Sequence, residues 1–218
     1  GLLPLAHALE LNNYGGFILS YNGGQIINVQ TGELLFEKRI APEMIPYLEQ
    51  KAIKNNFAIF TYRKDTLITN DPHNHHVIEE AELNGLKIVG VKKFSDAIDF
   101  APCKCVLTSD DEEALTGLEN HWTKRLSGVL EAYRTEDYFL EVAPYFINKG
   151  NTLGVLMELL KVTTEEVIAI GDGVADVSMI QLAGTGVAMG NARDSVKVCA
   201  DFTTLPNTMD GVAIAVVK

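Results

Sequence analysis

The sequence predicts an α/β protein built on a doubly wound parallel sheet, with a second α/β domain inserted into it. Three observations carry this. Strand-like and helix-like segments alternate along the 218 residues, the pattern that folds into layered α/β architecture. A continuous apolar run, Val167-Ile168-Ala169-Ile170, stops at Gly171-Asp172-Gly173, as a parallel strand covered on both faces does at its carboxyl end. Residues 57–140 carry denser charge and more irregular loops than the segments on either side, and read as the insertion.

In chain order, Leu2, Leu3, Leu5, Ala6, Leu9 and Leu11 mark the apolar face of a helix already under way at Gly1. Gly16–Tyr21 is a short apolar strand that ends in the turn Asn22-Gly23-Gly24. Gln25–Val29 and Leu34–Lys38 flank Thr31-Gly32 as a hairpin. Pro42 opens a helix running from Met44 to Lys54, where a missing N–H costs least. The insertion spans 40–138, with strands such as Phe57–Tyr62 and Cys103–Leu107 and helices such as His76–Leu83 and Asp111–Asn120. Segments 1–39 and 139–218 make the core. The second of these holds a strand at Tyr138–Val142 and a helix with Leu153, Leu156, Met157 and Leu160 on one face. After the strand at 167–170 come a helix over 176–182, a short apolar Val187–Met189, a helix over 192–200 capped by Asn191, and a closing helix from Asp210.

With 47% hydrophobic residues, the chain can bury one good core and a satellite. The formal charge is −11. No basic stripe stands out, which argues against a nucleic-acid partner. No apolar run reaches the ~18 residues that span a bilayer, so no membrane partner is expected. Three cysteines with one close pair do not make a disulfide framework, and a reducing, cytoplasmic location is expected. Oligomeric state is not legible.

The chemistry gathers in the last third. In an open α/β sheet, ligands bind beyond the carboxyl ends of the strands. Asp172 and Asp176, four residues apart at such an end, suit a hard divalent cation. Magnesium takes one or two protein carboxylates and leaves room for phosphate and water. The plain alternative puts Asp172 in a glycine turn and Asp176 at a helix start, where acids are favoured. Lys149-Gly150 places a lysine at the start of a helix after a strand, aimed at a phosphate or simply solvated. Met189-Gly190-Asn191-Ala192 offers a glycine and a helix N-terminus to an anion, or an ordinary cap.

Taken together, Lys149-Gly150, the strand ending in Gly171-Asp172-Gly173-Val174-Ala175-Asp176, the run Val187-Ala188-Met189-Gly190-Asn191-Ala192, Ser195-Val196-Lys197, Ala200-Asp201, and Asn207 with Asp210–Ala213 resemble the C-terminal signature of the haloacid dehalogenase superfamily, in its Cof-like sugar-phosphate phosphatase branch. Asn22-Gly23-Gly24 and its hairpin are similar to that family's passage from core to cap. The resemblance implies a Rossmann-like core with a mobile α/β cap, and hydrolysis of a small phosphorylated metabolite through an aspartyl-phosphate. Lys149 would neutralise phosphate and nucleophile. Asp172 and Asp176 would serve Mg2+, Asp176 directly or through water. Asn191, Asn22 and Gly23 would line the phosphate or substrate.

Two departures from the family pattern follow. The nucleophile-bearing Asp-x-Asp-Gly-Thr strand occurs nowhere in these residues, so the nucleophile and general acid are expected to lie in a missing N-terminal segment and the chain as given to be inactive. Ala175 stands where the family has an asparagine, whose hydrogen bonds a methyl cannot replace. The alternative reading is an inactive binding or regulatory protein. A third, the phosphorylation domain of a cation pump, shares Gly-Asp-Gly-Val-x-Asp but needs membrane spans. Loss of a central strand is expected to distort the sheet near 16–21 and 167–171, or to call for a partner there. His73-Asn74-His75-His76 could attract a transition metal, and Cys103-x-Cys105 reads as structural. Trp122, with His121 and Lys124 nearby, is a candidate for the substrate-facing surface of the cap.

Overall fold

The computed structural model describes residues 2–217 and divides into two compact units, Gly1–Phe146 and Ile147–Lys218.

The first unit opens with helices α1 (Leu2–Ala8) and α2 (Leu11–Tyr14) in place of one continuous helix. Glu10 takes φ 55°, a left-handed conformation that no helix interior accommodates, so the apolar stripe breaks there. Strands β1 (Phe17–Ser20), β2 (Gln25–Asn28) and β3 (Leu34–Glu37) form an antiparallel sheet in that order. The turn after β1 holds Tyr21 and Asn22 at φ 53° and Gly23 at φ 105°, which explains why asparagine and glycine occupy it.

A six-stranded sheet follows, in order β6-β5-β4-β7-β9-β8. Its members are β4 (Ala58–Arg63), β5 (Thr66–Thr69), β6 (Lys87–Gly90), β7 (Cys105–Thr108), β8 (Leu130–Glu136) and β9 (Phe139–Pro144). Strands 66–69, 87–90 and 130–136 were not singled out from the sequence. Residues 139–144, expected to open the second core segment, instead pair with β7 and β8. The turn at Asp137-Tyr138 folds β9 straight back on β8, so the sheet extends six residues past the expected boundary.

The two faces of the sheet follow from the register. Thr61, Cys105, Val142 and Ala132 lie side by side, as do Ile59, Leu107 and Leu140. This face is covered by α3 (Ile45–Lys54), α5 (Phe94–Ala97) and α6 (Glu112–Arg125), enclosing a core with Leu48, Phe94, Leu115 and Trp122. Trp122 is fully buried and its Nε1–H donates to the Tyr47 hydroxyl at 3.2 Å. It belongs to the core, not to a substrate-facing surface, because its spacing from Leu115 and Leu118 puts it on the inner stripe of α6. Glu49, also buried, accepts the backbone N–H groups of Phe94 and Ser95 and so caps α5 from a neighbouring helix. Helix α4 (His75–Asn84) packs Val77 and Ala81 on the opposite face, against Phe60, Val106 and Phe139. Cys103 and Cys105 are both buried free thiols.

In the second unit, β10 (Ile168–Gly171), β11 (Thr185–Ala188) and β12 (Phe202–Thr203) form a parallel sheet in sequence order. Its helices are α7 (Lys149–Leu160), α8 (Val177–Leu182), α9 (Asp194–Lys197) and α10 (Gly211–Val217). Ile180 of α8, Ala188 of β11 and Val196 of α9 pack together. The helix expected over 192–200 shrinks to the single turn of α9. Strands β1 and β10 keep regular registers against β2 and β11. The distortion expected at these two places is not found; each strand is instead an edge of its own three-stranded sheet.

Candidate active site

The site in the second unit begins with a glycine. β10 ends at Gly171, where a Cβ would lie 2.4 Å from the Cβ of Asp176. Only a residue without a side chain lets the chain turn back so closely. That turn brings the Asp176 carboxylate under the loop that precedes it. Its Oδ2 accepts the backbone N–H groups of Asp172 and Gly173, each at 3.0 Å. Asp176 is 6% exposed.

A second glycine sets the lysine. Asn148 caps α7, accepting the Asn151 N–H at 2.8 Å. At Gly150 a Cβ would fall 2.4 Å from the Ser178 carbonyl oxygen, and the Gly150 N–H donates to Ser178 Oγ at 3.0 Å. This close approach of α7 to the start of α8 delivers Lys149 Nζ to Asp176 Oδ1 at 2.5 Å. Burial pushes the Asp176 carboxyl up, but the Lys149 ammonium and the two loop N–H groups outweigh it and hold the group below its usual value. Asp176 is therefore a carboxylate with both oxygens engaged.

Asp172 differs. It is exposed, and its Oδ2 accepts the Asn191 side-chain amide at 3.0 Å. Asn191 Oδ1 in turn accepts the Asn207 backbone N–H at 3.0 Å. Asn191 is thus not the helix cap that its position suggested: Arg193 precedes α9, and the Asn191 amide ties the loop after β11 to the carboxylate and to a turn near the C-terminus. Ser178, which fixes Gly150, carries no local pattern that marks it in the sequence.

Lys149, Asp172, Asp176 and Asn191 therefore form one linked polar cluster beyond the ends of β10 and β11. Asn22 and Gly23 belong to the first unit. There the Asn22 amide donates to Glu141 Oε2 at 2.9 Å and to the Tyr133 hydroxyl at 3.3 Å. Glu141 also pairs with Lys104 at 2.6 Å, with side chains only 8% and 13% exposed. A glutamate within the apolar run Phe139-Leu140-Glu141-Val142 was the sequence signal for this buried pair. Ala175 is exposed, beside Asp176 in the turn before α8.

As to the metal that such a cluster implies, the donors suit magnesium in one respect. Asp172 offers an exposed oxygen with no hydrogen bond among the described residues, while both oxygens of Asp176 are engaged, Oδ1 by Lys149 and Oδ2 by two N–H groups. One direct carboxylate and several waters is an arrangement Mg2+ accepts.

Known proteins share this fold. A protein from Bacteroides thetaiotaomicron described as a haloacid dehalogenase-like hydrolase is 43% identical, with a TM-score of 0.91 over 99% of this chain and 81% of that one. A sugar phosphatase of subclass IIB of the same superfamily superposes with a TM-score of 0.78 at 20% identity, covering 97% of this chain and 78% of its own, a likeness of fold alone. The 5-amino-6-(5-phospho-D-ribitylamino)uracil phosphatase of Bacillus subtilis is 46% identical over 87 residues, 40% of this chain and 35% of that protein. The haloacid dehalogenase-like hydrolase profile matches residues 1–216. The chain belongs to the haloacid dehalogenase-like hydrolase family.

Proposed function

We propose that this chain carries the metal- and phosphate-binding part of a Mg2+-dependent phosphatase acting on small phosphorylated metabolites, sugar phosphates first among them. The observation that carries the reading is the linked set Lys149–Asp176–Asp172–Asn191 at one end of a parallel sheet. The 5-amino-6-(5-phospho-D-ribitylamino)uracil phosphatase among its relatives supports the substrate class. Residues 1–39 and the second unit would be core, and the six-stranded sheet with its helices the cap.

Asp172 would hold the metal directly, and Asp176 through water. Bound Mg2+ would supply positive charge against the phosphate oxygens. Lys149, one third exposed and already paired to Asp176, would turn part of its ammonium to the same phosphate. The Asn191 amide would fix the direction of the Asp172 carboxylate. Positioning and charge neutralisation carry most of phosphoryl transfer. The aspartyl-phosphate such chemistry forms needs an Asp-x-Asp pair, which is not among these residues, so turnover needs a segment outside them. A formal charge of −11 argues for a small substrate over nucleic acid. No helix among the described residues is long and apolar enough to cross a membrane, and we place the protein in the cytoplasm.

A second reading, an inactive binding or regulatory protein, rests on Ala175 and on the same missing motif. The test is phosphate release from hexose, pentose and ribityl phosphates, with these residues alone and with whatever segment the gene encodes before them. We expect turnover only when an Asp-x-Asp strand is present, and its loss on chelation or in Asp172→Asn. Phosphate binding without turnover in either form would establish the second reading instead.

A further inference from the structure

We propose that His75, His76 and Asp110 form a transition-metal site in the first unit, separate from the Asp172 cluster and fitted to Zn2+. The sequence brought the histidines together; the fold adds the carboxylate. His75 and His76 open α4 after the N-cap Asn74, and Asp110 follows β7 in the loop that leads to α6. His76 Nε2 lies 3.0 Å and His75 Nε2 3.2 Å from Asp110 Oδ1. One ligand atom from each residue falls within 4.8 Å of the others. Tetrahedral zinc with bonds of 2.0–2.1 Å sets its donors roughly 3.3–3.4 Å apart, so each histidine nitrogen needs to shift by only a few tenths of an ångström relative to the Asp110 oxygen.

The plain alternative is a hydrogen-bonded pair of histidines on one carboxylate. The buried side of His76 argues against it. His76 is 7% exposed, its ring stacked on Tyr138 at 4.0 Å between centroids with the planes 1° apart. In the hydrogen-bonded arrangement Nε2 carries the proton to Asp110, and Nδ1 is left a buried acceptor with no donor among the described residues. Such an orphan is unfavourable. Metal on Nε2 moves the proton to Nδ1. A carboxylate to accept that N–H lies close by: Glu79 Oε2, one turn along α4, stands 3.8 Å from Nδ1 on an exposed side chain. A metal-bound histidine commonly donates its other N–H to a carboxylate. Imidazole with one carboxylate, and a coordination position left open to solvent on the Asp110 side, suits zinc over magnesium.

The test is calorimetric titration of Zn2+ into the tag-free chain under excess Mg2+, which occupies carboxylate-only sites. We expect one equivalent bound, with the ring nitrogens of His75 and His76 shifted in long-range nitrogen-15 NMR and those of His7, His73 and His121 unmoved. His75→Gln and Asp110→Asn change exposed groups and leave the fold intact by circular dichroism, yet should remove the site. Glu79→Gln should weaken it about 10- to 100-fold. No saturable binding, binding that survives both ligand substitutions, or binding lost instead in Cys199→Ser would overturn the proposal.

Discussion

Replacing Lys149 with methionine keeps the aliphatic stem and removes the ammonium from Asp176. Two limits bracket the effect. An exposed ion pair contributes about 0.2–1 kcal/mol, and stripping one partner from a fully buried pair costs about 3–5 kcal/mol. Here Asp176 is 9% exposed by side chain but Lys149 is 35% exposed, and the carboxylate keeps two backbone donors. A loss of about 2 kcal/mol at neutral pH follows from discounting the buried case for solvent screening. The pH dependence has a definite sign. A carboxyl held below its ordinary value in the folded state adds stability above the unfolded value of about 3.9, and that stability is lost as pH falls through the folded value. The gap between Lys149→Met and the parent should therefore be widest at neutral pH and close below about pH 4. Amide exchange at Asp172 and Gly173, whose N–H groups bond Asp176, reports this locally alongside urea unfolding. Equal protection of those amides in both proteins, or a gap that stays constant into acid, would refute the reasoning.

Three further outcomes are expected. Gly171→Ala puts a methyl 2.4 Å from Asp176 Cβ and should cost about 1–3 kcal/mol by overpacking; a melting curve and an Mg2+ titration should move together, and an unchanged melt would mean that the close turn is dispensable. Trp122 is the single tryptophan and is fully buried, so its emission should be blue-shifted and resist acrylamide, while Tyr47→Phe should cost about 1 kcal/mol by removing its hydrogen-bond partner. Burial pushes the Cys103 and Cys105 thiols up to about 12, so a disulfide reagent at mildly alkaline pH should label the partly exposed Cys199 first. Early labelling of Cys103 would contradict its packing.

Much of this protein is legible before folding is considered. The apolar strand at 167–171, stopping at Gly171-Asp172-Gly173, marks the carboxyl end of a parallel strand with two aspartates beyond it, because backbone polarity and side-chain pattern are local. The same holds for the turn at Asn22-Gly23, where left-handed angles demand those residue types, and for the helix that begins at Lys149. Other features depend on what meets what. Trp122 and its inward stripe could face substrate or core until the sheet arrives beneath α6. Asn191 has the composition of a cap, yet its amide is captured by Asp172 and the Asn207 backbone, partners 19 and 16 residues away. Phe139–Pro144 is an apolar run like that of any buried strand, and only the hairpin with β8 decides which sheet it joins. Sequence by itself determined the α/β class, the two carboxylates and the lysine, since each follows from residue type and short-range spacing. Only tertiary structure decided that Lys149 pairs with Asp176, that Asp172 keeps an oxygen open, and that Asp110 meets a histidine pair, because those pairings join segments that no local periodicity connects.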